Sequence, residues 1–157
     1  MLEILVLTVS DRASQGAYKD KSGPAIEKIL RERFPDASIT RQLVGDKPAE
    51  IKGIFKDNLN CDFILTTGGT GIGPRDVTPE ATDTFCDRPL PGIVEILRNE
   101  SFKQTPQAMI SRATAGQKGK TIIVNFPGSV KAVELCTKLM LPIIEHAPRM
   151  IRGEGHE

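Results

Sequence analysis

The sequence is poor in the side chains from which several common kinds of functional site are built. Its 157 residues include no tryptophan, one tyrosine (Tyr18) and two histidines (His146 and His156). Aromatic residues make up 4% of the chain, too few for a surface on which single-stranded bases stack. Because both histidines lie near the end of the sequence, catalysis or metal binding centred on histidine is disfavoured.

The sequence also lacks an excess of charge of either sign and any long apolar run. There are 21 Lys and Arg residues against 20 Asp and Glu, a formal net charge of +1, which disfavours nonspecific binding to nucleic acid. No apolar segment approaches the roughly 20 residues of a membrane-spanning helix. The first residues have neither a basic segment nor a small-residue cleavage site. We therefore expect a cytoplasmic protein with no signal peptide and no membrane partner.

Cysteine is scarce and irregularly spaced. Cys61, Cys86 and Cys136 are odd in number, and no two of them form a C-x-x-C pair. Neither a disulfide framework nor a zinc site fits this set, whereas a reducing compartment does. We expect all three to be buried apolar thiols.

Strand-like and helix-like segments alternate along the chain, without an internal repeat, a linker or a low-complexity tract. The length predicts a single domain over residues 1–157. The alternation predicts an α/β domain with a mainly parallel sheet and right-handed crossovers. The predicted strands cover Leu2–Val9, Ser38–Val44, Asp62–Thr67 and Thr121–Phe126.

Capping residues and prolines predict where the helices begin and end. Ser22, Asp46 and Thr78 each stand where a helix N-cap is expected, and Pro48 and Pro79 follow within the first turns. Further predictions are helices over Pro91–Phe102 and after Ser129, a shorter helix over Pro106–Ala113, a turn over Gly116–Gly119, and a kink or restart at Pro142.

Four loops should meet at one edge of this sheet, because ligands of parallel α/β sheets bind beyond the carboxyl ends of the strands. The loops are Ser10-Asp11-Arg12, Gly45-Asp46, Thr66–Thr78 and Phe126–Lys131. The third carries four glycines, so its backbone can approach a ligand closely and point N–H groups at an anion. It matches neither the phosphate loop that ends in Gly-Lys-Ser/Thr nor the G-x-G-x-x-G pattern. On its own, this loop fits a simple tight turn equally well.

Two acids and a second helix start lie in the same loops. Pro127-Gly128-Ser129 leads into a helix with Lys131 in its first turn, and helix N-termini bind phosphate. Asp46 and Asp76 add carboxylates, and Mg²⁺ is commonly held by one or two carboxylates together with phosphate oxygens. From the residues alone, Asp46 is more readily explained as a helix cap, and a loop acid near Arg75 is an alternative for Asp76.

The order of these motifs resembles the molybdenum-cofactor biosynthesis family. The resemblance is strongest to its molybdopterin adenylyltransferases, which include the G domains of gephyrin and of plant two-domain enzymes. Thr66–Gly71 followed by Pro74–Thr82 carries it, and agreement runs nearly end to end. Gly45 and Val130 stand where relatives often carry proline, and neither departure removes a charged group. The other matching segments are Thr8–Arg12, Ser22–Pro24, Val44–Asp46, Pro106 with Ala108–Arg112, and Asn125–Ser129.

This resemblance implies both a fold and a reaction. The fold is a three-layer α/β sandwich, with a mostly parallel sheet flanked by helices, that forms one molybdopterin-binding domain. The reaction is that of a nucleotidyltransferase, which moves AMP from MgATP to the terminal phosphate of molybdopterin and releases pyrophosphate. Because the attacking phosphate is already anionic, positioning and charge neutralisation can replace a strong base. The implied partners are Mg²⁺, ATP as co-substrate, molybdopterin, further copies of the chain in a homotrimer, and a downstream metal-insertion enzyme.

The resemblance also implies roles for individual positions. Asp46 and Asp76 match the family's two essential acids, which support Mg²⁺. Arg112 and Lys131 are weaker candidates, because each can equally be a solvated charge beside the site. The loop around the nucleotide phosphates matches Thr67, Gly68, Gly69, Thr70 and Gly71, and the molybdopterin-binding part matches Ser10, Asp11, Ser111, Pro127, Gly128 and Ser129.

Three other functions remain open from the sequence. A close relative in the same family shares the glycine loop, and only turnover would separate the two. A binding module that delivers molybdopterin or docks a partner, as the G domain of gephyrin does in scaffolding, would not need the paired acids Asp46 and Asp76. A generic nucleotide-binding domain would not account for the matching segments outside the glycine loop.

Overall fold

Strands and helices alternate along residues 1–155, the part of the chain that the computed structural model describes. The strands are β1 (Glu3–Val9), β2 (Ser38–Val44), β3 (Phe63–Thr67), β4 (Arg88–Pro89), β5 (Ala115–Lys118) and β6 (Thr121–Phe126). The α-helices are α1 (Asp11–Ser14), α2 (Ser22–Arg33), α3 (Pro48–Asp57), α4 (Thr78–Phe85), α5 (Pro91–Phe102) and α6 (Val130–Ile151). A 3-10 helix, Pro106–Ile110, lies between α5 and β5. The four predicted strands are all present and begin at most one residue later than predicted.

The strands form one sheet in the order β2-β1-β3-β6-β5-β4. β1 pairs in parallel with β2 and β3, and β3 pairs in parallel with β6. β5 and β4 add an antiparallel edge beyond β6. The mainly parallel sheet is therefore confirmed, and the carboxyl ends of β2, β1, β3 and β6 lie side by side.

Helices cover both faces of the sheet, and the alternation of side chains along β1 separates two hydrophobic clusters. Ile4 and Val6 pack in the cluster that includes side chains of α2, α5 and α6. Leu5 and Leu7 pack in the cluster that includes side chains of α3 and α4. None of the four is more than 1% exposed, and burying a side chain of this size contributes roughly 1.5–3 kcal/mol. The predicted three-layer architecture is confirmed.

Two residues predicted as helix caps have other roles. Helix α2 begins at Ser22 itself, and the carboxylate that accepts from its first turn, at the N–H of Gly23, belongs to Asp20 at 3.1 Å. Thr78 is likewise the first residue of α4, and its hydroxyl donates to the carbonyl of Gly68 at 3.0 Å. The prediction for Thr78 was wrong because the local pattern could not show an acceptor ten residues away, and that for Ser22 was wrong because Asp20, two residues earlier, accepts from the first turn instead.

The third predicted cap, Asp46, also bonds outside its own helix. The N-cap of α3 is Lys47, and no side chain caps that helix. Asp46 instead accepts from the N–H of Asp11 at 3.0 Å. By contrast, Ser129 does cap α6, since its hydroxyl accepts from the N–H of Ala132 at 3.2 Å.

Three further segments differ from the sequence predictions. The predicted turn over Gly116–Gly119 is strand β5, and the chain reverses at Gly119, where φ is +58°. Gly116 allows this pairing because a Cβ there would lie 2.6 Å from the Cβ of Cys86. The predicted helix over Pro106–Ala113 is the 3-10 helix, and α6 continues through Pro142 without a restart.

The three cysteines are free, with Cys61 and Cys136 buried and Cys86 partly buried. Burial raises the pKa of Cys61, and it raises the pKa of Cys86 and of Cys136 to about 11. Thiols with such pKa values stay protonated near neutral pH and react slowly. Within residues 1–155, no helix is long and apolar enough to cross a membrane. His156 lies outside the residues that the structure describes.

Candidate active site

The four predicted loops do meet at the carboxyl edge of the parallel strands. Directly after β1, the N–H of Ser10 donates to the carbonyl of Val44 at the end of β2, at 2.8 Å. After β3, the N–H of Gly68 donates to the carbonyl of Phe126 at the end of β6, at 3.2 Å. Parallel pairing thus brings together residues that are far apart in the sequence.

The glycine loop that follows β3 is shaped by contacts that exclude side chains. Gly68 and Gly69 have φ angles of +97° and +69°, in the left-handed region that favours glycine. A Cβ on Gly68 would collide with the carbonyl oxygen of Val9, and one on Gly69 would collide with the hydroxyl of Thr78. The same Cβ on Gly69 would lie 3.0 Å from Oδ1 of Asp46. The loop therefore presents bare backbone beside an acid.

A buried polar network supports the loop from below. The side-chain amide of Asn125 donates to the hydroxyls of Thr66 at 3.0 Å and Thr82 at 2.9 Å. Its carbonyl oxygen accepts from the N–H of Thr114 at 3.1 Å. The hydroxyl of Thr67 donates to the carbonyl of Pro127 at 2.7 Å, which ties the glycine loop to the turn before α6. Networks satisfied in this way hold one arrangement rigidly.

Asp46 is held by a reciprocal pair of hydrogen bonds with Asp11. Its Oδ2 accepts from the N–H of Asp11 at 3.0 Å, and its own N–H donates to Oδ1 of Asp11 at 2.8 Å. Its Oδ1 is buried and has no hydrogen-bond partner among the described residues. Burial raises the pKa of Asp46, and the nearby charges of Asp11 and Asp76 raise it further. A buried carboxylate oxygen without a donor is a place for a cation.

Asp76 lies on the segment that continues the glycine loop toward α4. Its Oδ2 accepts from the N–H of Gly73 at 2.9 Å. A Cβ on Gly71 would lie 3.0 Å from the same oxygen, so this carboxylate also lies against bare backbone. Asp46 and Asp76, the two acids predicted as a metal-supporting pair, border the same cleft.

Asp11 is committed to protein partners. Oδ1 accepts from the N–H of Asp46, and Oδ2 lies 2.9 Å from both Nε and Nη2 of Arg75. The Asp46 N–H and the Arg75 guanidinium lower the pKa of Asp11, in that order of effect. Asp11 borders a groove with Ser14 and Lys47, separate from the two clefts described next.

Two clefts open at this edge and share one wall. The larger has a volume of about 340 Å³ and the smaller about 220 Å³. Both are bordered by Gly68, Gly69, Asp76 and Gly128. The larger cleft also includes Thr70, Gly71, Ala108, Ile110, Ser111, Pro127, Ser129 and Ala132, and the smaller includes Thr8, Ser10, Tyr18, Asp20, Ser22, Asp46 and Thr67. Two ligands that occupied the clefts would meet at the shared wall.

The structure divides the predicted molybdopterin-binding set between these clefts. Ser10 borders the smaller cleft, whereas Ser111 and Ser129 border the larger one. Lys131 is exposed on α6. Arg112 contacts the glycine loop through its side chain, with Nε 2.7 Å from the carbonyl oxygen of Gly71.

Sequence reasoning missed several residues that border the clefts. Asp20 joins the smaller cleft to the sheet, because its carboxylate accepts from the hydroxyls of Thr8 at 2.7 Å and Ser22 at 3.1 Å. An acid two residues before a Ser-Gly-Pro helix start was a signal that could have identified it. Thr105 and Gln107 of the larger cleft, at the start of the 3-10 helix, had no such signal.

The donor set fits Mg²⁺ only in combination with a ligand. Within residues 1–155, no group of three or more His, Cys, Asp and Glu side chains could hold a metal ion. The unpartnered Oδ1 of Asp46 and the nearby carboxylate of Asp76 offer two oxygens. Because Mg²⁺ favours one or two carboxylates with phosphate oxygens, this pair suits an ion that arrives with a phosphate.

The comparison with protein families agrees with this geometry. Residues 5–146 match the family described as a probable molybdopterin binding domain. The chain belongs to this family. The resemblance noted from the sequence motifs is thereby confirmed.

Individual relatives match over most of their length. A molybdopterin adenylyltransferase of Helicobacter pylori is 40% identical over 156 residues, which cover 97% of this chain and 89% of the relative. The molybdopterin adenylyltransferase of Escherichia coli is 37% identical, covering 85% of this chain and 70% of the relative. The crystal structure of the molybdopterin biosynthesis enzyme MoaB from Thermus thermophilus superposes with a TM-score of 0.87 at 38% identity, covering 100% of both chains.

Proposed function

We propose that the protein is a molybdopterin adenylyltransferase of molybdenum cofactor biosynthesis. It transfers AMP from MgATP to the terminal phosphate of molybdopterin and releases pyrophosphate. The observation that carries this proposal is the pair of clefts with the common wall of Gly68, Gly69, Asp76 and Gly128. A transfer between two bound phosphate compounds needs two ligand sites that touch at one point.

The reaction does not need the protein to remove a proton from the attacking group. A terminal phosphate oxygen of molybdopterin forms a bond to the α-phosphorus of ATP, and the bond from that phosphorus to pyrophosphate breaks. Because the attacking oxygen is already anionic, the work is to bring two repelling phosphates into line and to neutralise charge. Backbone N–H groups of Gly69, Thr70 and Gly71 and the N-terminus of α6, capped by Ser129, supply partial positive charge near the shared wall.

In this proposal Asp46 and Asp76, which both border the smaller cleft, would hold Mg²⁺. The unpartnered Oδ1 of Asp46 supports the assignment, because a buried carboxylate oxygen without a donor costs folding free energy that a bound cation would offset. The ion, when bound with ATP, neutralises charge on the phosphates. The two carboxylates fix where that charge is neutralised.

The molybdopterin subsite is proposed from the other residues of the common edge. Ser10, Ser111 and Ser129 offer hydroxyls, Gly128 offers a backbone N–H group, and Pro127 offers an apolar surface to a polar ring that carries a phosphate. Asp11 takes part through Asp46, which it holds in place by two hydrogen bonds. We also propose a cytoplasmic homotrimer that passes its product to a metal-insertion enzyme.

A carrier of molybdopterin is the second candidate. The larger cleft alone would suffice for it, since that cleft combines apolar residues such as Ala108 and Pro127 with the hydroxyl of Ser111. A carrier, however, has no use for the unpartnered acid Asp46. Turnover separates the two functions.

The test is release of pyrophosphate from MgATP by the full chain, with and without molybdopterin. We expect release only when molybdopterin is present, and we expect Asp76→Asn to lower it by about a hundredfold or more. The matched control is Asp83→Asn, which removes an exposed acid of α4 and should leave the rate unchanged. Tight binding of molybdopterin without any pyrophosphate release would favour the carrier.

A further inference from the structure

We propose that Arg112 is a positioning residue for this transfer. It sets the shape of the loop from Gly71 to Asp76 and thereby the place of the Asp76 carboxylate. The role of Asp76 in this inference rests on the proposed function, whereas the loop geometry stands on the contacts alone.

The guanidinium of Arg112 contacts both ends of the loop and the helix that follows it. Nε donates to the carbonyl of Gly71 at 2.7 Å, and Nη2 donates to the carbonyl of Asp76 at 2.8 Å. Nη1 lies 2.6 and 2.9 Å from the two carboxylate oxygens of Glu80. All three nitrogens are therefore occupied, and one planar group spans the loop from beginning to end.

The segment that carries Arg112 is itself held in place. Its backbone N–H donates to the carbonyl of Thr70 at 2.7 Å. On the other side, Arg98 of α5 donates from Nε to the carbonyl of Ser111 at 3.0 Å and from Nη2 to that of Ala113 at 2.8 Å. Arg98 thus anchors the segment to α5, and Arg112 extends this support to the glycine loop.

This arrangement places Asp76 in two stages. First, two hydrogen bonds with Gly73 fix the carboxylate within its own loop. The carboxylate accepts from the N–H of Gly73 at 2.9 Å, and the N–H of Asp76 donates to the carbonyl of Gly73 at 3.1 Å. The bonds from Arg112 fix that loop against the rest of the molecule. Without the bonds from Arg112, the loop could move and would carry Asp76 with it.

The alternative is that Arg112 binds a ligand phosphate by its charge. Its side chain is 38% exposed, yet its nitrogens point at two carbonyls and a carboxylate of the protein. A lysine at this position would keep the charge but could not reproduce the planar fork of donors. Arg112→Lys therefore separates a shaping role from a charge role.

The experiment compares Arg112→Lys and Arg112→Gln in the full chain by hydrogen exchange and by adenylyl transfer. Among residues 70–77, we expect the hydrogen-bonded amides of Gly73 and Asp76 to exchange at least about tenfold faster in both variants, because the loop opens more often. We expect kcat to fall about tenfold to a hundredfold, and the half-saturating Mg²⁺ concentration to rise, because Asp76 is displaced. Glu80→Gln keeps both carbonyl bonds and should have a smaller effect than either.

Arg33→Gln is the matched control, because it breaks an exposed ion pair with Glu145, 2.6 Å long, away from the site. It should leave exchange of residues 70–77 and kcat unchanged. Full activity and normal loop exchange in Arg112→Lys would overturn the proposal, whether or not Arg112→Gln folds. If the wild type shows no transfer at all, the proposed function fails, and loop exchange still decides whether Arg112 shapes the loop.

Discussion

The two acids of the site are held in opposite ways. Asp46 is joined to Asp11 by two reciprocal hydrogen bonds at the ends of adjacent parallel strands, and one of its oxygens is buried without a partner. Asp76 lies on an irregular loop whose ends are tied by Arg112. The sheet itself fixes the first acid, whereas a side chain from a distant segment fixes the second.

Within one site, Asp46 is therefore held rigidly, whereas the position of Asp76 can adjust with its loop. Burial at the sheet edge raises the pKa of Asp46, so the ionised form of this carboxylate is disfavoured before any ligand binds. Asp76 is instead satisfied within its loop, by the N–H of Gly73. A cation between them would relieve the first acid and would restrict the loop of the second.

The largest effect should come from Gly69→Asp, which disrupts both halves of the site at once. A side chain at φ +69° is strained, its Cβ would collide with the hydroxyl of Thr78, and its charge would repel Asp46 and ATP. We expect ATP affinity to fall by about a hundredfold or more, as measured by calorimetry. Gly53→Asp on α3 is the control, because nothing lies within 4 Å of a Cβ there. Normal ATP binding by folded Gly69→Asp would contradict the loop assignment.

The next largest effects should distinguish Asp46→Asn from Asp76→Asn. Each should lower kcat for adenylyl transfer by about a hundredfold or more, because each removes a carboxylate from the proposed metal site. Thermal stability should differ: Asp46→Asn removes a buried charge and should raise the melting temperature, while Asp76→Asn should change it little. Kinetics and calorimetry on the same preparations measure both. Wild-type turnover in either folded variant would refute its place in the metal site.

The smallest effects concern pH and contrast Asp46 with Asp11. The pKa of Asp46 is raised from its ordinary value of 3.8, so its ionisation weakens the fold as the pH rises through the folded pKa. The pKa of Asp11 is lowered, so its contribution to stability is present above 3.8 and is lost as the pH falls. Relative to wild type without divalent ions, Asp46→Asn should gain melting temperature with rising pH, and Asp11→Asn should lose it. Parallel trends in the two variants would show that burial and hydrogen bonding do not differ as described.

The parts of the fold that followed from the sequence are those encoded by local spacing. The run from Leu2 to Val9 is apolar at six of its eight positions, on both faces of the strand, so it predicted a central strand with helices on both sides. The glycines and acids that come after the strands were predicted to lie together, because parallel strands end at one edge of the sheet. The short α1 and β4 were missed, because four and two residues are too few to show a periodic pattern.

Roles that depend on long-range partners could not be predicted in the same way. Asp46 and Thr78 look like caps in isolation, and each bonds instead to a different loop. Arg112 looked like a solvated charge, because its acceptors at Gly71 and Asp76 precede it by 41 and 36 residues. Such pairings depend on strand order, which local sequence does not specify.

The sequence by itself determined the alternation of strands and helices, the edge at which ligands bind and the family to which the chain belongs. Periodic burial and backbone freedom of glycine are local properties, so they can be read along the chain. Only the tertiary structure decided that Asp46 keeps a buried oxygen free, that Asp11 is fully occupied and that two clefts share one wall. These features arise where segments distant in the sequence meet, and their geometry exists only once the sheet has formed.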